Sequence, residues 1–464
     1  MIKRKLIIVI TCIATMAGCM NQQPSEKNTR KKTNKPNFVM ILADDLGWAQ
    51  LGCYGSDYYK TPHIDKLAEQ GMTFTNAYSA AAVCSPTRAS IMTGKHPARL
   101  HLTDFIAGNP DTDYPLTKPE WTKYLPLEER CIAEVMKKHG YQTALFGKWH
   151  LSKEKTPLAS LSHNPDKQGF DEHFVTYKPV KRFAREWQTP EDDPHNVDTI
   201  TNLSLDFMER NKDKPFLLIV SHNSIHDPLV EAQSLIEKYE AMPASSKPEN
   251  HPVVAAMIEV LDKSVGRVMD KMEQLDLNHQ TVFIFYSDNG GKHSYAAQTP
   301  FRAGKGWLYE GGIRVPLIVR WPGVIEPGRE NQSLVTSCDF YPTFLDIAGI
   351  EPDDSKKMDG LSLYPVLQNN GKLKRNALHW NYPHYHKGSG MKPACAVRVG
   401  KYKLISWYEP VLLDGEDAYE LYDLEKDPGE QNNLIDELPE KAEFLKNKLY
   451  IWKEKLDAQE PIIN

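Results

Sequence analysis

The amino-acid sequence predicts an α/β protein: a large mixed, mostly parallel sheet sandwiched by helices, with a smaller C-terminal antiparallel sheet plus helix. Three observations carry this expectation. Short continuous apolar runs recur along the chain, the pattern of strands buried on both faces. Segments with apolar residues at helical spacing lie between them, and that alternation builds a parallel sheet covered by helices. From roughly Leu367 onward the runs become short strands divided by turns, which read as an antiparallel sheet.

The chain opens with Lys3, Arg4 and Lys5, the apolar run Leu6 to Ile10 and then small residues, a secretory layout too short to remain as a spanning helix. Met16-Ala17-Gly18-Cys19 is similar to a bacterial lipobox, with Met where Leu is commoner, so lipidation of Cys19 is expected; ordinary cleavage nearby is the alternative. Residues 20–35 are polar, without apolar period, and read as a flexible tether. The division is therefore a lipoprotein signal at 1–19, the tether, a main domain at 36–366 and a C-terminal α+β subdomain at 367–464. Export places the body in the periplasm or at the outer membrane or cell surface, with the membrane engaged only through a lipid anchor. A net charge of −5 and the lack of a basic run interleaved with aromatics exclude a general nucleic-acid surface. Seven Cys are present, and Cys53, Cys84, Cys131, Cys338 and Cys395 beyond the leader have neither paired nor metal-type spacing.

Asn37 to Leu42 is the first buried-type strand, and it runs into Ala43-Asp44-Asp45. Adjacent carboxylates at a strand end are costly if buried and unpaired, so they are either solvated in a turn or hold a cation. Thr61 to Gly71 reads as a helix with a Gly stop, leading through Met72-Thr73-Phe74 to the stretch Ala81 to Gly94. There Ser85 and Pro86 predict a short helix with Ser85 as N-cap and Pro86 in its first turn. Cys84 then stands at a helix mouth, where unpaired N–H groups and the macrodipole favour negative charge and make a thiol reactive. The bland alternative is a buried structural thiol. Arg88, about one turn on, shares the space beside position 84.

Leu127 to Gly140 has helical spacing, and Tyr141 to Phe146 is the next strand, followed by Gly147-Lys148-Trp149-His150. Lys148 and His150, one residue apart at a strand exit, can point at the same anion. Pro215 to Val220 is another buried-type strand, and its exit carries His222 and His226, each either a site histidine or a satisfied core or surface one. Val253 to Leu275 reads as a long amphipathic helix, and Thr281 to Tyr286 as a strand ending in Ser287-Asp288-Asn289-Gly290-Gly291. Parallel sheets bind ligands beyond the carboxyl ends of their strands. Four strands deliver Asp44/Asp45, Lys148/His150, His226 and Asp288/Asn289 to that one edge.

Carboxylates with an Asn amide oxygen form a hard set suited to Ca2+ or Mg2+, while Lys and His suit a sulfate or phosphate. Lys305, in the turn Gly304-Lys305-Gly306 ahead of the strand Leu317 to Arg320, can approach a ligand closely. Ala377 to Tyr382, Ala394 to Val399, Tyr402 to Tyr408 and Tyr419 to Leu424 form the C-terminal strands, closed by a helix from Pro439 to Leu456. Trp380 to His386, with His384 and His386, is either a sugar-facing wall that sets substrate choice or a packed aromatic loop.

Cys84-Ser85-Pro86-Thr87-Arg88 resembles the Cys-x-Pro-x-Arg signature of the type I sulfatases, and the segments from about Asn37 to Pro322 resemble that family in the same order. The resemblance implies the alkaline phosphatase superfold and oxidation of Cys84 to formylglycine by a formylglycine-generating maturation enzyme. It implies that Asp44, Asp45, Asp288 and Asn289 hold Ca2+, that the modified Cys84 completes the site and that Arg88 braces both. Lys148, His150, His226 and Lys305 would contact the sulfate or its bridging oxygen. His226 is carried over on the His-x-Pro pattern, but Ile225 stands where a Pro is often found, which keeps His222 as the other candidate.

The implied reaction starts when one hydroxyl of the hydrated aldehyde attacks sulfur. His226, assisted by Lys305, protonates the leaving alcohol, and His150 as base then releases sulfate through the second hydroxyl. The expectation is a sulfuric ester hydrolase acting on a sulfated carbohydrate, with 36–366 as its catalytic domain. Two alternatives stand beside it: a phosphonate or phosphodiester hydrolase of the same superfold, and a non-catalytic lipoprotein that binds sulfated glycans.

Overall fold

A computed structural model describes residues 35–464 except 111–112, 154–161, 177–180, 183–185, 188–191, 244–249, 296–297, 354–356, 369–370 and 416–417. These lie in one compact unit, Thr33–Asn464. The signal at 1–19 with Cys19, and tether residues 20–34, fall outside the described residues. Among the described residues no helix is long and apolar enough to cross a membrane.

Apolar strands place an eight-stranded sheet at the centre. Its spatial order is Arg329–Asn331, Met72–Phe74, Leu317–Arg320, Thr281–Ser287, Asn37–Ala43, Phe216–Ser221, Gln142–Lys148 and Glu172–Thr176. All pairings are parallel except the two made by Leu317–Arg320. In register, Ala43 pairs with Ser287, Leu42 with Ser221, and Gly147 with Ser221. Four strands therefore end level with one another, and the polar residues that follow them meet.

The side-chain alternation of a strand splits the core into two layers. Phe38, Met40 and Leu42 face one side, packed with Ala89, Ile91 and Met92 of the helix Cys84–Thr93 and with Phe340 and Phe344 of the helix Phe340–Ala348. Val39, Ile41 and Ala43 face the other, against the helices Pro62–Glu69, Val197–Asn211 and Pro252–Gln274. Each fully buried Phe, Ile or Leu contributes about 1.5–3 kcal/mol, so the helix bearing Cys84 is fixed to the sheet by its apolar face.

The strands Leu378–Tyr382, Ala394–Val399, Tyr402–Trp407 and Tyr419–Asp423 form a four-stranded antiparallel sheet in that order. One face meets Ala442, Leu445 and Leu449 of the helix Pro439–Leu456. The other carries Trp380, Tyr382 and Ile405 onto Tyr78, Ala82 and Val83, the approach to Cys84. A fully buried ionic knot ties this sheet to the chain beside Lys305. Lys403 Nζ lies 3.0 Å from Glu310 Oε1 and 2.8 Å from Glu430 Oε1, and all three side chains are 0% exposed. The Tyr78 hydroxyl donates to Glu310 Oε2 at 2.6 Å.

Two local expectations are corrected. The helix starts at Cys84 with Val83 as N-cap, not at Ser85, because the Ser85 hydroxyl instead accepts the Ile106 N–H at 3.1 Å. The helix expected from Leu127 spans only Ile132–Lys138, capped by Glu134 taking the Cys131 N–H at 2.8 Å, while Leu127 is 47% exposed.

Candidate active site

At the level strand ends the chain turns sharply. Asp45 has φ 62°, a left-handed conformation that Asp tolerates, and this turns its side chain back across the sheet edge. Gly147 has φ 113°, and a Cβ there would lie 1.8 Å from the Ser221 carbonyl oxygen, so only glycine lets the Lys148 strand leave this close to its neighbour.

Three carboxylates and three cations then interlock. Lys148 Nζ donates to Asp44 Oδ2 at 2.6 Å. Lys305 Nζ reaches both oxygens of Asp45 at 2.7 and 2.8 Å. The guanidinium of Arg88 grips Asp288 Oδ2 through Nε at 2.8 Å and Nη2 at 2.7 Å, and its Nη1 donates to the Lys148 carbonyl at 2.9 Å and the Ser221 hydroxyl at 2.7 Å. Burial pushes the Asp44 carboxyl up, but the charges of Lys148, His226, Arg88 and Lys305 outweigh it and hold the group well below the usual carboxylate range. Burial likewise lowers Lys305, and Asp45 restores it to well above the ordinary ammonium value.

Cys84 sits in the middle of this cluster at 1% exposure. Burial pushes its thiol up to about 12, against the pull of Lys148 and Lys305, so the unmodified thiol is not the reactive group that the helix mouth alone suggested. Asp44, Asp45, Cys84 and Asp288 each present a ligand atom, all within 4.8 Å of one another. Asp44 Oδ1 and Asn289 Oδ1 are buried oxygens without a hydrogen-bond partner. Asn289 Nδ2 meanwhile donates to Asp45 Oδ1 at 2.8 Å, which fixes the amide with its oxygen orphaned. Orphaned hard oxygens beside convergent carboxylates suit a divalent cation. Because three cations already balance three carboxylates, such an ion would leave the site net positive, the sign that an anionic ester requires.

The histidines take different positions. His150, at φ 57°, holds the Ile106 carbonyl through Nε2 at 2.5 Å and leaves Nδ1 buried and unpartnered. Burial and the Lys148 charge keep it well below the usual imidazole value, so it is neutral, protonated on Nε2, with a bare lone pair on Nδ1. His226 lies with Nε2 3.9 Å from Asp45 Oδ2. His222 points the other way, to Ser264 Oγ at 3.0 Å under the long helix, and burial lowers it to about 3. The geometry therefore places His226, not His222, at the edge with Asp45 and Cys84.

A cavity of about 410 Å³ opens over the cluster, lined by Asp45, Cys84, His150, His226 and Lys305 and walled by Phe105, Asp227, Lys292, Trp307 and His386. His386 bonds Ser389 Oγ through Nδ1 at 2.9 Å. His384 stands behind that wall at 1% exposure, its Nε2 2.7 Å from Thr103 Oγ1, and does not line the cavity. Sequence reasoning missed Phe105, Asp227, Lys292, Trp307 and the Ser221 hydroxyl. Lys292, directly after Gly290-Gly291, and Trp307, two residues past Lys305, sit beside motifs already singled out and were the legible ones.

Fold and site together define a hydrolase of anionic esters, built on a mostly parallel sheet with its chemistry at the carboxyl edge. The chain belongs to the sulfatase family: the family model Sulfatase matches residues 36–350, and the model N-sulphoglucosamine sulphohydrolase, C-terminal, matches 302–458. It is 30% identical to a sulfatase of Formosa agariphila over 94% of this chain and 92% of that one. It is 32% identical to human arylsulfatase A over 91% of this chain and 88% of that one. The crystal structure of Ps i-CgsB in complex with k-i-k-neocarrahexaose superposes with a TM-score of 0.75 at 25% identity, covering 92% of this chain and 94% of that one. The protein is a type I sulfatase, a sulfuric ester hydrolase.

Proposed function

We propose that this enzyme removes sulfate from a sulfated carbohydrate, using formylglycine made from Cys84 and a Ca2+ ion held by Asp44, Asp45, Asp288 and Asn289. The observation that carries the reading is the placement of Cys84, 1% exposed at a helix N-terminus and ringed by the carboxylates of Asp44, Asp45 and Asp288 and by Lys148 and Lys305. A carbohydrate substrate is supported by the structural relative holding a carrahexaose and by the aromatic and imidazole wall of the cavity.

Hydrated formylglycine supplies two hydroxyls, one to attack sulfur and one whose deprotonation expels sulfate, and Ca2+ supplies positive charge at the reacting oxygens. Every other role falls to side chains of this chain. Lys148 and Lys305 bind the non-bridging sulfate oxygens and offset the charge that builds there. Arg88 touches Asp288, Lys148 and Ser221 and orients them. His226, with Lys305, gives a proton to the leaving alcohol, and His150 takes one through its bare Nδ1. His386 meets the sugar, and His384 holds the wall from behind through Thr103.

In this reading residues 36–366 form the catalytic domain and 367–464 the subdomain that supplies the wall. The chain is exported, lipidated at Cys19 and held off the membrane by residues 20–35. A maturation enzyme converts Cys84. The test is mass spectrometry of the tryptic peptide containing Cys84 from native-host protein, with sulfate release measured beside Cys84→Ala. An aldehyde or its hydrate at position 84, with release abolished in the variant, is expected; an unmodified Cys84 in fully active enzyme would sink the formylglycine mechanism.

A further inference from the structure

His226 has its two ring nitrogens in different surroundings. Nδ1 lies 2.7 Å from the carbonyl oxygen of Asp227 and 3.0 Å from that residue's Oδ1. Both are acceptors, so Nδ1 must carry a proton, and Nε2 is the nitrogen left for the cavity. The other carboxylate oxygen of Asp227, Oδ2, is 3.5 Å from Nζ of Lys292, which also lines the cavity.

The backbone on either side is pinned. Ile225 N–H donates to the Asp44 carbonyl at 2.7 Å, His226 N–H to the Asn223 carbonyl at 2.9 Å, and His195 Nε2 holds the Pro228 carbonyl at 3.2 Å. Burial keeps His195 neutral, near 4, which leaves it a plain N–H donor to that carbonyl. An apolar residue at 227 would preserve the backbone bond and lose the carboxylate.

We infer that Asp227 is a positioning residue for departure of the alcohol: it locks Nδ1–H of His226 and aims Nε2–H at the bridging oxygen. The inference rests on the sulfatase reading with His226 as acid. As the nucleophile's bond to sulfur forms, the bond from sulfur to the ester oxygen breaks and its electron pair stays on that oxygen. The Nε2 proton moves there, giving a neutral alcohol and a neutral imidazole that keeps its Nδ1–H on Asp227. Proton donation matters most when the leaving alcohol is weakly acidic, so the contribution of Asp227 grows along a series of poorer leaving groups.

The experiment measures kcat/KM of full-length, matured enzyme on 4-nitrophenyl sulfate, phenyl sulfate and a monosaccharide 6-sulfate. Asp227→Asn is expected to lose at least tenfold more on phenyl and sugar sulfate than on 4-nitrophenyl sulfate, and Asp227→Ser to lose more than Asn. In a His226→Ala background neither change is expected to steepen the dependence further, because the acid it positions is gone. A misfolded fraction scales every ester equally and leaves the ratio untouched, so the ratio reports on chemistry alone. Equal losses on all three esters, or the same additional steepening in the His226→Ala background, overturn the inference. Wild-type enzyme that releases sulfate from none of them instead overturns the sulfatase reading beneath it.

Discussion

Arg88→Lys separates charge from shape at the centre of the site. Arg88 is 2% exposed and spends three nitrogens on three partners: Asp288, the Lys148 carbonyl and the Ser221 hydroxyl. A lysine ammonium keeps the charge but is a single point on a shorter stem, so it retains one of these partners and cannot grip Asp288 through two nitrogens. The Lys148 carbonyl still receives the Ser221 hydroxyl at 2.6 Å, which limits the damage there. The loss concentrates on Asp288, a carboxylate with 0% exposure, and one charge-assisted bond to such a group is worth about 1.5–3 kcal/mol. With the bond to Ser221 added, the expected destabilisation is about 3 kcal/mol. For a body of about 430 residues the unfolding entropy is about 0.9 kcal/mol/K, so Tm falls by about 3 °C. Loss of the orienting grip should cost kcat about 10²–10³-fold, the scale of one misplaced group at a preorganised site. Calorimetry and sulfate release on the same preparation read both. A lysine variant with unchanged Tm and kcat within about threefold of wild type would show that charge alone suffices and that the fork geometry is irrelevant.

Lys403→Met should destabilise the fold by about 3–5 kcal/mol in denaturant titration while leaving the 410 Å³ cavity's lining residues intact, because it strands Glu310 and Glu430 without their buried cation. Asp104, buried and pushed up to about 6 by that burial against hydrogen bonds from Tyr382 and Asn109, binds its proton more tightly folded than unfolded. Its contribution is fully present below about pH 4 and is lost as pH rises to about 6; Asp104→Asn should flatten that slope, of order 3 kcal/mol, in stability measured from pH 4 to 7. Chelation with EGTA should abolish sulfate release and lower Tm, and added Ca2+ should restore both, since an ion bound only by the folded state stabilises it by mass action.

The centre of the sheet was legible because its inner strands are apolar and fully buried, and their polar successors could be read at once as the edge where ligands bind. Asn37–Ala43, Phe216–Ser221 and Thr281–Ser287 match their expected spans to within about one residue at each end. The edge strand Glu172–Thr176 was not read, since its residues are mostly half-buried and carry no apolar run. The helices Val197–Asn211 and Phe340–Ala348 were missed as well, the second because FYPTFLDIA is almost wholly buried and only Asp346 marks an exposed face. Ser85 reads as a cap by local rule, but a loop some twenty residues away claims its hydroxyl. Asp44, Asp45, Lys148, His150, His226, Asp288 and Asn289 could be grouped at one edge from the sequence because strand ends gather them. Asp227 and Phe105 could not, because their places depend on how loops fold over the edge.

The ionic knot at Lys403 has a consequence for recombination. A chimera that keeps residues 1–366 and borrows a foreign C-terminal sheet inherits Glu310 without Lys403 and Glu430, and so begins with a carboxylate at 0% exposure that has lost its buried lysine. The three residues travel together only if the crossover lies ahead of Glu310, and the second family match, 302–458, starts there. That block also contains Lys305, Trp307 and His386. Exchanging it would therefore transplant one of the site's cations along with the wall, so new substrate preference and altered chemistry would arrive as a single inherited piece.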